Sequence, residues 1–172
     1  MSKKGHTRAT GRAAAALALA GAALLGTAGF ASSGSSGHPP AGRGTVSTEN
    51  AQIAAYAQTF IGKYPYLWGG GSPSTGFDCS GLTSYIYQQF GVPIPRTAQA
   101  QSRFFRRETA AQAQPGDLVF FHGRHWHVYH VGIYEGAGAT GVGTLVAAAD
   151  PQQGIIFETI WTSRVTFGTL TH

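Results

Sequence analysis

The residue type with the clearest chemical potential in this sequence is a single cysteine. Cys79 is the only cysteine among 172 residues, which excludes an internal disulfide and a zinc site built on several cysteines. The thiol is therefore an inert buried group, half of an intermolecular bridge or a nucleophile. A helical pattern begins at Cys79, and the free N–H groups of a helix amino terminus favour a thiolate. The surrounding sequence has to distinguish these three possibilities.

A nucleophilic thiol needs a proton acceptor, and His130 is the candidate. It lies in a predicted strand over residues 128–134, far along the chain from Cys79. A cysteine at a helix start that faces a histidine on a sheet is the arrangement of papain. Gly81 is interpreted as keeping the first helical turn open to a substrate backbone. The pair alone is weak support for an enzyme, because a lone cysteine is more often a buried apolar side chain.

The elements that must position this pair follow an α+β pattern. Apolar residues at helical spacing predict a helix over residues 48–62, capped by Thr48, and a second helix from Cys79 to Gly91. After Pro115, short β-rich runs predict five strands, over residues 117–121, 128–134, 144–149, 154–160 and 164–170. Because the helices precede the strands, we expect N-terminal helices packed on an antiparallel sheet.

The first 47 residues have the composition of an export signal followed by a tether. Residues 3–12 are basic, and residues 13–30 are uncharged and rich in Ala and Leu. We predict a signal peptide over residues 1–31, cleaved after Ala31, with an uncleaved membrane anchor as the alternative. Residues 32–47 are mostly Ser, Gly and Pro and predict a flexible linker. The folded domain is then 48–172, in a secreted protein.

The charge balance argues against a nucleic-acid partner. The formal charge is +5, but four of the twelve Lys and Arg residues lie in the first twelve positions. Without that end, eight basic residues face seven acidic ones, which gives little electrostatic attraction for a polyanion. With 42% hydrophobic and 11% charged residues, the chain has the composition of one globular domain, which we expect to be a monomer.

Five segments carry a resemblance to a known family. They are Tyr-Leu-Trp-Gly-Gly at 66–70, Gly-Phe-Asp-Cys-Ser-Gly-Leu at 76–82, Pro-Arg-Thr at 95–97, Pro-Gly-Asp-Leu-Val-Phe-Phe at 115–121 and His-Val-Gly-Ile-Tyr at 130–134. In order and spacing they resemble the NlpC family of cell-wall peptidases, across nearly all of residues 48–172. The resemblance implies a minimal papain-like fold and hydrolysis of peptidoglycan stem peptides, typically between D-glutamate and a diamino acid. It implies no cofactor.

The same resemblance suggests roles for individual residues. Cys79 matches the nucleophile and His130 the general base. Tyr66 matches a tyrosine whose hydroxyl helps to hold the oxyanion or the substrate, with a core aromatic as the alternative. Asp78 and Ser80 match positions that line the substrate groove, where Asp78 either meets the free amino group of a stem peptide or caps the helix. Three further matches are interpreted mainly as scaffold: Trp68, Arg96 and Asp117.

The third catalytic position is where this sequence departs from the family. A polar residue that orients the histidine usually lies on the following strand, and the matching position here is Ala147, which cannot accept a hydrogen bond. Candidate substitutes are a backbone carbonyl, a water, Asp150, Gln152 and Gln153. Because losing an orienting residue costs several powers of ten in rate, a weak enzyme or a non-catalytic wall-binding module is the main alternative. A related amidase or acyltransferase on the same fold is another.

Two further patterns, one of histidines and one of arginines, bear on metal and polyanion binding. Four histidines fall within nine residues, namely His122, His125, His127 and His130. On one straight strand they would point to opposite faces, so we expect no metal site. The arginines Arg103, Arg106 and Arg107 are interpreted as a solvated helix face, with anionic wall polymers as the alternative partner. The sequence thus predicts a secreted, cell-wall-associated cysteine peptidase that forms an acyl-enzyme at Cys79.

Overall fold

The computed structural model describes residues 43–139 and 141–170, with side chains described from Thr48 onward. The predicted signal peptide and the predicted linker up to residue 42 lie outside the described residues. The helices are α1 (Arg43–Gln58), α2 (Cys79–Gln89) and α3 (Ala98–Phe104). The strands are β1 (Gly71–Ser72), β2 (Gly76–Phe77), β3 (Arg106–Glu108), β4 (Leu118–His122), β5 (Val128–Ala137), β6 (Gly143–Asp150), β7 (Gly154–Thr159) and β8 (Val165–Thr169).

Six of these strands form one antiparallel sheet in the order β3-β8-β4-β5-β6-β7, and β1 pairs with β2 in a small separate ribbon. A short 3-10 turn, Arg124–Trp126, connects β4 to β5. The helices precede the large sheet in the chain, as the α+β pattern predicted. Within the described residues, every helix is too short or too polar to cross a membrane.

The two faces of the sheet bury different sets of side chains. Leu118 and Phe120 of β4 pack with the helices in the main core, whereas Val119 and Phe121 belong to a second cluster on the opposite face. Side chains alternate along a strand, so His130 of β5, which is paired with Phe121, lies on the second face. Glu158 of β7, paired with Leu145 of the second cluster, lies on that face too.

Aromatic side chains fix α2 against the rest of the main core. Phe60 meets Phe77 and Tyr85 edge-on, with ring centroids 5.8 Å apart in both cases. Leu82 and Ile86 of α2 are fully buried beside them. Edge-to-face contacts of this kind contribute roughly 0.5–1.5 kcal/mol each beyond the area they bury. The start of α2, which carries Cys79, is therefore held firmly against its surroundings.

The structure differs from the sequence-based prediction at several places, and the short strands β1 and β2 are among the elements that were not predicted. Helix α1 begins at Arg43 rather than at Thr48, because backbone hydrogen bonding continues beyond the apolar pattern that marked the predicted start. Helix α3 and strand β3 were not predicted. The chain leaves α3 at Phe105, which is buried and extended, so that Arg106 and Arg107 pair with β8. Of the three arginines, only Arg103 lies on a helix, and the helix-face interpretation of this segment is wrong.

Candidate active site

Cys79 is the first residue of α2 and is a partly exposed free thiol. The preceding residue, Asp78, has an extended backbone and its carboxylate accepts a hydrogen bond from the Gly81 N–H at 2.6 Å, which caps the helix. A side chain at Gly81 would lie 2.0 Å from the carbonyl oxygen of Gly70. The glycine is needed for close packing of the preceding loop, and the interpretation that it leaves room for a substrate backbone is wrong.

Both carboxylate oxygens of Asp78 are occupied by partners within the protein. Arg96 donates to them at 2.9 and 2.8 Å, and the Gly69 N–H donates to Oδ2 at 2.9 Å. Burial alone raises the pKa of Asp78, but the hydrogen bonds from Arg96 and from the backbone more than offset it, and the pKa is lowered. Asp78 thus acts as a helix cap and as an anchor for Arg96, rather than as a free partner for a substrate amine.

Ser80 and Arg96 lie together in a cavity of about 580 Å³ that also reaches Cys79, here called the Arg96 cavity. Arg96 donates to Ser80 Oγ at 3.1 Å and to the Gly70 carbonyl at 2.9 Å, yet 44% of its side chain is exposed. Its guanidinium is therefore held in one orientation while it remains accessible. The terminal N–H groups of Arg96 are thus engaged by Asp78, Ser80 and Gly70, so this residue ties the start of α2 to the preceding loop.

A second cavity, of about 350 Å³, lies on the other side of Cys79 and is here called the His130 cavity. Tyr66 lines it, and the pKa of Tyr66 is raised by burial and by the nearby Cys79, which places the phenol close to the thiol. Trp68 lines both cavities and is 85% exposed. The interpretation of Trp68 as scaffold is therefore wrong, because its ring forms a wall of the groove.

His130 is buried between the thiol and a carboxylate. Its ring lies near the rings of Phe121 and Trp161, with centroids 5.4 and 5.9 Å away. Burial by itself lowers the pKa of His130, but the neighbouring Cys79 and Glu158 outweigh it, and the pKa is raised to about 9. The imidazole is thereby favoured as imidazolium at neutral pH.

Glu158 is the side chain that approaches the histidine from the far side. Its Oε1 lies 3.8 Å from His130 Nε2, an ion-pair distance that is longer than a hydrogen bond. Both atoms are buried, and neither has a hydrogen-bond partner within the described residues. A shift of less than 1 Å would join them, so Glu158 is placed to orient the imidazole.

The sequence-based candidates for this role lie elsewhere. Ala147 is fully buried in the second cluster and does not line the His130 cavity, and its methyl group cannot accept a hydrogen bond, so it does not orient the histidine itself. Asp150 does line that cavity, but its carboxylate accepts from the N–H groups of Gln152 and Gln153 and from the Gln153 amide. Gln152 is exposed and only contributes its backbone to that turn.

Sequence reasoning missed Glu158 because it examined only the strand that follows the histidine. Glu158 lies one strand further on, in β7, and reaches the imidazole on the face that Ala147 and Ala149 of β6 leave unfilled. A signal was present: the run of alanines in β6 leaves space beside the histidine, and β7 carries one acidic residue among apolar ones. Only the strand register shows that this residue faces His130.

The histidines of the cluster serve separate purposes. The ring of His122 bonds to the Trp126 carbonyl at 3.1 Å and to Thr166 Oγ1 at 2.8 Å, so both ring nitrogens are engaged. His127 lines the Arg96 cavity, and His125 lies in the 3-10 turn with a left-handed backbone. Across residues 48–139 and 141–170, no three His, Cys, Asp or Glu side chains are grouped as they would be around a metal ion.

Comparisons with known proteins agree on one family. The sequence profile of the NlpC/P60 family matches residues 62–165, so the chain belongs to that family, and the α+β fold class is confirmed. The crystal structure of the NlpC/p60 domain of peptidoglycan hydrolase SagA has a TM-score of 0.61 and 33% identity over 70% of this chain and 98% of that one. The peptidoglycan hydrolase RipB of Mycobacterium tuberculosis has a TM-score of 0.60 and 27% identity, over 74% of this chain and 67% of that one.

Curated relatives are similar over a shorter segment. "Probable endopeptidase p60" of Listeria seeligeri is 51% identical over 87 residues, which is 50% of this chain and 16% of that protein. "Gamma-DL-glutamyl hydrolase" of Bacillus subtilis is 40% identical over 93 residues, or 53% of this chain and 22% of that protein. The matched segment is thus less than a quarter of either relative's length.

The buried position of Ala147 allows a test of the third catalytic position. We expect Ala147→His to lower the free energy of unfolding by about 1–3 kcal/mol, because the added ring overfills a packed cluster. We expect no gain in hydrolysis, because Ala147 lies on the face shared by His130 and Glu158, and an added ring would fill the space across which Glu158 approaches the imidazole. Urea unfolding checks the first expectation and muropeptide hydrolysis the second. Ala149→His, at a half-buried position that lines the His130 cavity, is the control and should cost less stability.

Proposed function

We propose that the protein is a secreted cysteine peptidase that hydrolyses the peptide stems of peptidoglycan. The observation that carries the proposal is the thiol at a capped helix start beside a buried histidine whose pKa is raised to about 9. That arrangement favours a thiolate–imidazolium pair, which is the reactive form of a cysteine peptidase. Membership of the NlpC/P60 family and the names of the relatives support the substrate class.

The reaction proceeds through an acyl-enzyme. The Cys79 thiolate attacks the scissile carbonyl carbon, and the hydroxyl of Tyr66, with the free N–H groups at the start of α2, stabilises the oxyanion that forms. The His130 imidazolium then donates its proton to the leaving amine, which breaks the peptide bond. Neutral His130 next takes a proton from water, and the resulting hydroxide attacks the thioester and releases Cys79. Glu158 acts through His130 as a positioning residue.

The two cavities divide the substrate between them. Because His130 protonates the leaving amine, the His130 cavity receives the residue that departs, and the Arg96 cavity receives the acyl part. Trp68 and Ser80 line the Arg96 cavity and are placed to contact the acyl part, a D-glutamate linked through its side chain. Asp150 in the His130 cavity is suited to an ammonium group on a departing diamino acid. These contacts support cleavage between D-glutamate and the diamino acid.

Product analysis tests the proposal directly. We would incubate residues 32–172 with purified muropeptides and identify the products by mass spectrometry. The expected result is a new amino terminus on the diamino acid. Binding without products would favour the wall-binding module, and release of the whole stem from its sugar would indicate an amidase. Stems transferred to an added amine instead of to water would indicate an acyltransferase.

The cellular location follows from the same substrate. Peptidoglycan lies outside the cytoplasmic membrane, so we propose that the protein is exported through the predicted signal peptide and acts in the cell wall. Fractionation of cells that express the full chain tests this proposal. The expected species lacks residues 1–31 and appears in the wall and medium fractions, whereas an uncleaved species in the membrane fraction would favour the anchor.

A further inference from the structure

A third cavity, of about 530 Å³, is not used by the reaction described above. It is here called the Trp126 cavity, and it lies between the end of α3, the 3-10 turn and the strands β3, β4 and β8. The side chains that bear on its chemistry are Ser102, Phe105, Arg107, Phe120, Trp126 and Thr166.

This cavity is a neighbour of the Arg96 cavity along helix α3. Helix α3 lines the Arg96 cavity with Gln99 and the Trp126 cavity with Ser102, one turn further along the same face. Of two consecutive residues in the next segment, Trp126 lines the Trp126 cavity and His127 lines the Arg96 cavity. At the boundary, the Gln99 amide accepts from the Val128 N–H at 3.0 Å and donates to Ser102 Oγ at 3.4 Å. The two cavities are therefore neighbours along α3, with Gln99 between them.

Trp126 is held in an unusual conformation at the mouth of this cavity. It and His125 are the non-glycine residues with positive φ within the described chain, at 59° and 52°. Such a conformation costs energy in a residue with a side chain and is found most often at functional sites. The ring is braced by His122 edge-on at 5.0 Å and by the Arg164 guanidinium at 5.8 Å. A large apolar ring is thus fixed in place while it remains 59% exposed.

The lining combines three properties that suit an amino sugar. Trp126 presents a rigid aromatic face on which the C–H face of a sugar ring can rest. Ser102, Thr166 and Arg107 supply polar groups, and the side chain of Arg107 has no hydrogen bond or ion pair within residues 48–139 and 141–170. Phe105 and Phe120 form an apolar floor that can take an acetyl methyl group. A pocket of mainly apolar surface with a few fixed polar groups is typical of small-molecule recognition.

The position of the cavity matches the chemistry of the substrate. In peptidoglycan the amino end of the stem is joined, through alanine and a lactyl group, to an N-acetylated amino sugar. Three units separate the scissile carbonyl from the sugar: D-glutamate, alanine and the lactyl group. At about 3.6 Å per unit, they span roughly 11 Å. The acyl part begins in the Arg96 cavity, and one turn of α3, about 5 Å, separates that cavity from the next. The sugar then falls in the neighbouring cavity.

We propose that the Trp126 cavity binds the amino sugar that carries the stem, so that the enzyme prefers stems still attached to glycan over free peptides. This inference rests on the proposed function and adds a sugar subsite to it.

The experiment compares two substrates that differ only in the sugar. One is a free stem peptide whose amino end is capped by the lactyl group, and the other is the same lactyl stem attached to its disaccharide. We expect kcat/KM of the wild-type protein to be at least tenfold higher for the glycan-linked stem. We expect Trp126→Ala and Arg107→Ala to remove most of that preference while changing kcat/KM for the free peptide by less than about twofold. The free-peptide rate also shows that each variant is folded.

Two control variants distinguish a loss of binding at this cavity from a general effect of substitution. Arg106→Ala removes the neighbouring arginine on the opposite face of β3, and Phe157→Ala removes an exposed aromatic ring that does not line this cavity. Both should keep the wild-type preference. Equal rates for the two substrates, or equal losses on both in Trp126→Ala, would overturn the sugar subsite and leave the peptidase proposal intact. Failure to cleave either substrate would count against the peptidase itself.

A polyanion on the same surface predicts a different pattern. If anionic wall polymers were the partner, Arg106→Ala and Arg107→Ala would have similar effects, Trp126→Ala would have little, and 0.5 M salt would remove the preference. That outcome would overturn the sugar assignment. Under our proposal the preference for the glycan-linked stem persists at high salt, because stacking and neutral hydrogen bonds are weakly screened.

Discussion

Cys79→Ala is expected to abolish hydrolysis of stem peptides, with a loss of at least about 10⁴-fold in kcat, because no other group in the groove can form the acyl-enzyme. The fold should persist, since the thiol is partly exposed and alanine is well tolerated at a helix start. We expect the melting temperature to stay within a few degrees of the wild type. Mass spectrometry of muropeptide digests and thermal unfolding are the two measurements.

Cys79→Ser is the matched variant for this prediction. It keeps the shape and the hydrogen-bonding capacity of the side chain but replaces the thiol with a hydroxyl, which is not ionised at neutral pH. Both variants should be folded and inactive, and each should still bind the substrate. Retention of substantial activity in Cys79→Ala would eliminate the acyl-enzyme mechanism, whereas loss of the fold would mean that the thiol is a structural core group.

Glu158→Gln is expected to lower kcat by about 10²- to 10⁴-fold, the range seen when an orienting carboxylate is removed from a catalytic triad. The amide has the same size as the carboxylate, so packing is preserved while the negative charge beside His130 is lost. Without that charge, one of the causes that raise the pKa of His130 is removed, and the pKa falls. The alkaline limit of the pH–rate profile should therefore move to lower pH in the variant.

The same histidine makes stability depend on pH. The pKa of His130 in the folded protein, about 9, lies above its ordinary value of 6.5, so the imidazolium stabilises the fold fully below pH 6.5. That contribution is lost as the pH rises through about 9. We expect the melting temperature of the wild type to fall over this range more steeply than that of Glu158→Gln. Unfolding curves at pH 6, 7.5 and 9 measure the difference.

Asp150→Asn is the control for Glu158→Gln. Asp150 lines the same cavity, but its carboxylate is engaged in its own turn and none of its hydrogen bonds reaches His130. We expect it to leave the alkaline limit unchanged, although it lowers kcat/KM for substrates whose departing residue is cationic. A shifted limit in Asp150→Asn with a normal one in Glu158→Gln would assign the orienting role to Asp150.

The parts of the fold that could be predicted from the sequence are those with local signals. The start of α2 was predictable because Asp78 is a good cap and the apolar spacing after Cys79 is helical. The five longer strands were predictable because they alternate or run continuously apolar between turn residues. His130 was recognised because its strand and its motif coincide.

The parts that could not be predicted depend on long-range packing. Strand β3 exists because Arg106 and Arg107 pair with β8, some 60 residues away, and nothing in their own sequence favours a strand. The role of Trp68 depends on which surfaces meet at the groove. Glu158 faces His130 only through the pairing of three strands, which periodicity within one strand does not reveal.

The order of strands in the large sheet determines when the thiol can acquire its partners. Cys79 lies on α2, His130 on β5 and Glu158 on the edge strand β7, which joins the sheet through β6. Contacts between residues so far apart in sequence form late, after the loops between them have closed. Peptidase activity would therefore report the docking of β7, the last described strand but one. A newly synthesised chain would carry an inactive thiol until its sheet is complete.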